Sequence, residues 1–188
     1  MGDLLIIGAG GHGMVVAEAA ELEEKWKSIS FLDDRKDVDR VLSHKIVGKL
    51  HDYEKLINSY QYAIVAIGNN EKRLELVEKL ISLGYKVPTI IHPKAVVSKY
   101  SSVGQGTIIL AGAVVNTNSI IGNGCIININ SCVDHDSTIE DGIHVCSGAV
   151  VRSMCKIGRL SYIGAGSCVS SGIVIKERYV LQDGEVAK

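Results

Sequence analysis

Five cysteines in 188 residues form no CxxC pair and leave an odd number, so no disulfide framework is indicated. No stretch approaches the roughly 20 apolar residues of a membrane span. The short apolar run Leu4–Ile7 follows no basic segment and lacks the form of a secretory signal, which leads to the expectation of a cytoplasmic protein without membrane insertion. There is no excess of charge: the net value is −1, and the absence of a basic cluster argues against nucleic acid as a partner. Charge is also missing locally. Residues 1–90 carry 26 of the 41 charged side chains, and none lies between Lys99 and Asp134. This places a domain boundary near residue 90.

What fills the uncharged stretch is a repeat. From Ile91 to Ile175 an aliphatic residue recurs at every sixth position without interruption, through Val97, Val103, Ile109, Val115, Ile121, Ile127, Val133, Ile139, Val145, Val151, Ile157, Ile163 and Val169. Two residues before most of them stands something small, such as Ala95, Ser101, Ala113, Cys125, Ser137, Ala149, Cys155 or Ser167; Ile143 and Ile173 are the exceptions. A short fixed period indicates stacked repeats, and hexapeptide periods belong to parallel β-helices. Side chains alternate across a strand, so the aliphatic residue and the small one point inward while the residue between them points outward. Three hexads then close a coil of 18 residues, and the 14 hexads from Ile91 to Val174 make a little under five coils. Glycines such as Gly106, Gly112, Gly124 and Gly142 suit the corners. A β-sandwich, with turns every 8–12 residues, would not hold a strict period of six over this length. Cys125 and Cys155 fall at the small inward position and read as buried apolar residues.

The first ninety residues have a different grammar. Leu4–Ile7 is a short strand running into Gly8-Ala9-Gly10-Gly11-His12-Gly13, and Met14–Leu22 has helical spacing. This is GxGxxG between strand and helix, where glycines let the backbone approach a phosphate that the helix N-terminus attracts. A second strand, Ile29–Leu32, ends in Asp33-Asp34 about twenty residues on, where such folds place an acid on a ribose. Ile46–Leu50 reads as a short strand and Tyr53–Asn58 as a helix. Tyr62–Ile67 reads as a buried strand ending in Gly68-Asn69-Asn70, and Glu71–Leu83 as a helix with Leu74, Val77, Leu80 and Ile81 on one face. The sum is a small parallel α/β sheet, Rossmann-like, with its loops at the strand carboxyl ends. His44 and His51 stand among polar neighbours and read as solvated, and His92 reads as part of the turn into the repeat.

Gly8–Gly13, Phe31-Leu32-Asp33-Asp34, Ala66-Ile67-Gly68-Asn69-Asn70-Glu71-Lys72-Arg73, Ile91-His92-Pro93 and the hexads that follow resemble one family over nearly the whole chain. It is that of the hexapeptide-repeat, left-handed β-helix sugar acetyltransferases containing the bacillosamine-pathway N-acetyltransferases and the sialic acid O-acetyltransferases. The resemblance implies an α/β nucleotide-sugar-binding domain over 1–90 and a left-handed β-helix acetyltransferase domain over 91–188. It also implies a homotrimer with the site between neighbours, and acetyl-CoA as cosubstrate without a metal. Gly10, Gly11, His12 and Gly13 would face the phosphates and sugar, Asp33 and Asp34 the base or ribose, and Gly68, Asn69, Asn70 and Arg73 would close the pocket.

Val133-Asp134-His135-Asp136 breaks the uncharged run with a histidine between two acids, at a corner of its hexad. Acetyl transfer to an amine or hydroxyl requires a base near neutral pH, and an adjacent carboxylate can orient the imidazole. The family's catalytic base, a His followed by an acid, maps onto His135 and Asp136. His144, half a coil further on, points outward from a different side and would help to bind acetyl-CoA or sugar. Ser153, one coil above His135 and about 4.8 Å away by strand spacing, would offer its backbone N–H to the developing oxyanion. The outward residues Val96, Ile108, Val114, Ile120, Ile126, Val150 and Val174 are apolar and would be exposed in a monomer, which marks an association surface. The C-terminal stretch Glu177–Lys188 lacks the Gly-x-Pro-Ala-Lys ending common in these enzymes.

The leading expectation is N-acetylation of a nucleotide-linked 4-amino-4,6-dideoxysugar, with O-acetylation of sialic acid or a related sugar as the alternative. A β-helix carbonic anhydrase would need three imidazoles on a metal, which His135 and His144 do not supply. A non-catalytic nucleotide-sugar binder would leave Asp134-His135-Asp136 without a purpose.

Overall fold

The computed structural model describes residues 2–35 and 37–188. The N-terminal part is β1 (Gly2–Ile7), α1 (Gly11–Leu22), β2 (Trp26–Leu32), β3 (Arg40–Val41), β4 (His44–Gly48), α2 (Tyr53–Leu56), β5 (Tyr62–Val65) and α3 (Asn70–Ser82). The sheet order is β3-β4-β2-β1-β5. Strands β1, β2, β4 and β5 run parallel, and β3 is antiparallel to β4. The sheet is therefore mixed, not purely parallel. Leu42, which has φ +52°, carries the tight turn between β3 and β4 without the glycine or asparagine that would announce it.

Helix α1 is buried through Val16, Ala17, Ala19 and Ala20, and helix α3 through Leu74, Leu76, Val77 and Leu80. Ile81, expected on that inward face, is 39% exposed. His44 is not solvated: its ring lies edge-on to Phe31 and its Nε2 is 2.9 Å from the Glu21 carboxylate. His92 closes the turn into the repeat, its Nδ1 accepting from the Lys94 N–H at 3.0 Å.

From Ile90 onward come seventeen two-residue strands in three parallel sheets of six, five and six. Partners are 18 residues apart, for example Val115 with Val133 and Ile127 with Val145. The three sheets are the walls of a left-handed prism. The first wall runs Ile90–Ile91, Ile108–Ile109, Ile126–Ile127, His144–Val145, Tyr162–Ile163 and Val180–Leu181. The second runs from Val96–Val97 through Cys132–Val133 to Val186–Ala187, and the third from Ser102–Val103 through Thr138–Ile139 to Val174–Ile175. Ile109, Val115, Ile121, Ile127, Val133 and their successors form one continuous buried column. Leu181, 2% exposed, and the partly buried Ala187 continue that column, so the repeat outruns Ile175 by two hexads.

At the corners every sixth residue from Gly106 to Gly184 has positive φ. Asn118, Asn130 and Asp136 tolerate that conformation well; Met154, Leu160 and Arg178 adopt it at a cost of about 1–2 kcal/mol each. The register of stacked coils imposes the corner geometry on whatever residue falls there.

The N-terminal part sits on the first wall. Val16, Ala17 and Ala20 share one buried cluster with Ile90, Ile108 and Leu110. Ile108 and Ile126 are fully buried, Ile108 against helix α1, so two of the residues expected to form an association surface are closed off within the chain itself. Val96, Ile120 and Val174 remain 63%, 54% and 71% exposed. Val114, Cys132, Val150 and Cys168, stacked along the second wall between Val96 and Val186, are partly exposed and apolar.

Candidate active site

His135 stands at the corner between Cys132–Val133 and Thr138–Ile139, which joins the second wall to the third and lies away from the first. Its side chain is 43% exposed. Nδ1 lies 2.6 Å from Oδ2 of Asp136, and the other carboxylate oxygen of Asp136 accepts from Asn118 Nδ2, one coil below, at 2.5 Å. Asp134 receives the His135 N–H at 2.8 Å and Asn116 Nδ2 at 2.9 Å. The imidazole is thus braced from its Nδ1 side with Nε2 turned away from the brace. Hydrogen bonding to Asp136, assisted by both neighbouring carboxylates, holds the His135 pKa above its ordinary value. Asn118, then His135, hold Asp136 below the usual carboxylate range. Asn118 had no sequence signal of its own, but the 18-residue coil period points from Asp136 to it.

Ser153 lies one coil above His135, and the adjacent Met154 N–H donates to the His135 carbonyl at 3.0 Å. The Ser153 hydroxyl donates to Ser171 at 3.3 Å, while its backbone N–H has no acceptor among the described residues.

His144 is on the first wall, beneath the N-terminal part. Its Nε2 is 3.0 Å from Asn128 Nδ2 and its ring is edge-on to Tyr162 at 5.4 Å. The amide nitrogen can only donate, so Nε2 is the acceptor and the proton sits on Nδ1. Burial, then the charge of Arg73, push the His144 pKa down to about 3. His144 and His135 therefore occupy opposite parts of the prism within one chain.

The glycine loop follows β1. Asp33 Oδ2 accepts the Ala9 N–H at 2.7 Å, and Oδ1 accepts the Arg35 backbone and side chain at 3.0 and 2.8 Å. Partial burial opposes its charge, but the Ala9 N–H and Arg35 outweigh that and hold the carboxyl below its ordinary range. Asp33 thus braces the loop from beneath, and Asp34 accepts the Leu50 N–H at 3.0 Å. Gly13 is packed tight: a Cβ there would lie 2.1 Å from the Gly8 carbonyl oxygen. At Gly10 and Gly11 a Cβ would meet nothing within 4 Å, so these two line the open side. Gly10 caps α1 with extended backbone and no side-chain bond, leaving first-turn N–H groups free for an anion. His12, in that first turn, is mostly buried, its Nε2 has no partner among the described residues, and burial with Arg73 brings its pKa to about 4.

At the end of β5, Asn69 caps α3 by accepting the Lys72 N–H at 2.9 Å. Arg73 does not line open space. Asn70 donates to the Leu160 and Ser161 carbonyls, and Arg73, fully buried, bonds backbone oxygens of both parts of the chain. Among the described residues no group of three His, Cys, Asp or Glu side chains is placed to hold a metal ion.

An α/β sheet with an open glycine loop, docked on a left-handed β-helix that carries a carboxylate-braced imidazole at an exposed corner, defines the class of hexapeptide-repeat acyltransferases. Comparison with known proteins is consistent with that class and narrows it. Residues 3–80 match the family described as PglD N-terminal domain. The acetyltransferase domain of PglB from Neisseria gonorrhoeae FA1090 shares the fold with a TM-score of 0.97 and 35% identity, covering 100% of this chain and 92% of that one. PerB from Caulobacter crescentus, solved with CoA and GDP-perosamine, gives a TM-score of 0.94 at 30% identity, covering 100% of this chain and 89% of that one. A GDP-perosamine N-acetyltransferase of Escherichia coli O157:H7 is 32% identical over 113 residues, 60% of this chain and 51% of that protein. A UDP-N-acetylbacillosamine N-acetyltransferase of Bacillus subtilis (strain 168) is 32% identical over 114 residues, 59% of this chain and 52% of that protein. The matches thus span about half the length of these curated relatives. The chain belongs to the family of hexapeptide-repeat sugar acetyltransferases that includes the PglB acetyltransferase domain.

Proposed function

We propose that this chain is an acetyl-CoA-dependent N-acetyltransferase acting on a nucleotide-linked 4-amino-4,6-dideoxysugar in the cytoplasm. The observation that carries the proposal is the 2.6 Å contact between His135 Nδ1 and Asp136, itself braced by Asn118, at an exposed corner. With Nδ1 engaged, Nε2 is the free base. It takes a proton from the sugar amine as the nitrogen attacks the thioester carbon. The oxygen of that carbon gains charge, and the unpartnered Ser153 N–H, one coil above, would receive it. The C–S bond then breaks, the acetamide forms, and the proton on His135 returns to the departing CoA thiolate. The glycine loop with its uncapped helix end suits the diphosphate, Asp33 sets that loop, and Asp34 borders it. His144, neutral and bonded to Asn128, adds polar contact to acetyl-CoA or sugar. The names of the relatives, N-acetyltransferases of GDP-perosamine and UDP-N-acetylbacillosamine, favour an amine acceptor.

A homotrimer belongs to this proposal. The glycine loop and His144 flank the first wall while His135 is on the corner away from it, so a complete site requires a neighbour. The apolar second wall, from Val96 through Val114, Cys132, Val150 and Cys168 to Val186, supports such a contact.

The test is release of CoA from acetyl-CoA with UDP-, dTDP- and GDP-linked 4-amino-4,6-dideoxysugars beside free sialic acid, with His135→Ala as control and sedimentation for the oligomer. Turnover on one nucleotide sugar that collapses in the variant is expected. Release with sialic acid alone would replace the proposal by O-acetylation, and a monomer with full activity would overturn the shared site.

A further inference from the structure

Among the described residues Arg73 is the largest fully buried side chain, and it is a charged one. Its Nε donates to the Gly124 carbonyl at 2.7 Å. One terminal nitrogen donates to the Ile67 and Gly68 carbonyls at 3.0 and 2.9 Å, and the other to Asn70 Oδ1 at 2.8 Å and the Gly142 carbonyl at 3.0 Å. Every partner is a neutral oxygen, with no carboxylate among them. The Asn70 side chain extends the contact to the Leu160 and Ser161 carbonyls at 3.1 and 3.0 Å. Gly124, Gly142 and Leu160 are 18 residues apart, so the pair spans the same corner of three successive coils.

A buried cation without a counter-charge is costly, and packing alone does not call for one. Leu74, one residue on, lies against the same corner, its side chain 2.9 Å from where a Gly142 Cβ would stand. What the guanidinium supplies is a planar fork of five N–H groups, able to join the Ile67–Asn70 loop to the β-helix in one rigid arrangement. It also supplies a fixed positive charge beside two imidazoles. We propose that Arg73 is a positioning residue of the acceptor-sugar site: it locks the Ile67–Asn70 loop against the wall that carries His144.

The charge of Arg73 adds to burial in lowering both imidazoles, His12 to about 4 and His144 to about 3. The titratable groups around His144 are Arg73 from α3, His12 from the glycine loop and Tyr162 from the next coil, with Cys146 beyond it bonded to Tyr162. Around His12 the charged neighbour is Arg73. A neutral His144 accepts from Asn128 at Nε2 and presents an N–H at Nδ1; a protonated one would lose the Asn128 bond and add a positive charge. The functional consequence rests on the acetyltransferase proposal above, whereas the state of the two imidazoles does not.

Two variants of the full chain separate charge from geometry. Arg73→Lys keeps the charge but offers three donors for five N–H groups, and Arg73→Gln removes the charge. With labelled histidine and NMR across the pH range, Arg73→Gln is expected to raise the titration midpoints of His12 and His144, and Arg73→Lys to leave them near wild type. Both variants are expected to raise KM for the nucleotide-linked amino sugar about tenfold, with KM for acetyl-CoA unchanged, because only the sugar-side loop is displaced. Unmoved midpoints in folded Arg73→Gln, or KM values for both substrates that track only a fall in Tm, would overturn the assignment. If Arg73→Gln fails to fold, Arg73→Lys decides by whether the KM change is confined to the sugar. If the wild type turns over no nucleotide-linked amino sugar, the proposed function fails, while the midpoints still support or overturn the assignment of Arg73.

Discussion

Gly10 and Gly13 stand three residues apart in one loop, and replacing each by alanine should separate ligand approach from internal packing. At Gly13 a Cβ would lie 2.1 Å from the Gly8 carbonyl oxygen, well over 1 Å inside a normal contact of about 3.5 Å. The obstacle is main chain and cannot swing aside, since the Gly8 N–H is bonded to Leu32 at 2.9 Å and the Ala9 N–H to Asp33 at 2.7 Å. Overpacking of this kind costs about 1–3 kcal/mol, and an immovable backbone puts Gly13→Ala near the upper end. For a chain of this size each kcal/mol is worth about 2–4 °C in Tm, so a fall of about 4–12 °C is expected. Gly10 has negative φ and open space around its Cβ position, so Gly10→Ala should leave Tm within about 2 °C of wild type. Its methyl group would nonetheless stand in the mouth of the loop, where the diphosphate is expected. KM for the nucleotide sugar should rise about tenfold or more, with KM for acetyl-CoA unchanged. Thermal melts and two-substrate kinetics read both variants. A wild-type KM in Gly10→Ala would refute the close approach of ligand to this loop, and a wild-type Tm in Gly13→Ala would refute the packing.

Removing the base in His135→Ala should lower kcat about 10²–10⁴-fold with little change in Tm, since the ring is half-exposed; retention of most activity would move the base elsewhere. Protonated His135 cannot accept a proton, so activity should fall as pH drops through its raised pKa. Asp136→Asn removes the main cause of that elevation and should move the acid limb of kcat/KM to lower pH, with a lower plateau; an unmoved limb would show that Asp136 does not act on the base. Ile127→Ala, at a fully buried position in the middle of the column, should cost about 2–5 kcal/mol in denaturant unfolding, and a loss below 1 kcal/mol would mean that the coils collapse around the gap. Burial pushes the Cys125 thiol up to about 11, so it should resist thiol reagents until the protein unfolds; fast labelling of the native state would contradict its burial.

The β-helix was legible because a period of six leaves no freedom: each inward residue must match the one 18 positions away. The pattern faded at Leu181, where Tyr179 stands in place of the small inward residue and is 42% exposed, although the coils continue. The glycine loop and the strands around it were legible from turn chemistry, whereas β3 was not, because Leu42 occupies a left-handed turn position that sequence assigns to glycine or asparagine. His135 and Asp136 could be picked out because they are adjacent in the chain and interrupt an uncharged run. Asn118, which braces Asp136, and Asn128, which fixes the tautomer of His144, are contacts between coils.

By itself the sequence determined the two-part architecture, the identity of the repeat and the corner where the chemistry is expected, since each rests on local spacing repeated along the chain. Only the tertiary structure decided which wall the N-terminal part would cover, and with it the burial of Ile108 and Ile126. It also decided that Arg73, one of several charged residues on a helix, would be drawn inside. Those outcomes depend on which surfaces meet when two separately patterned segments dock, and no periodicity within either segment encodes that choice.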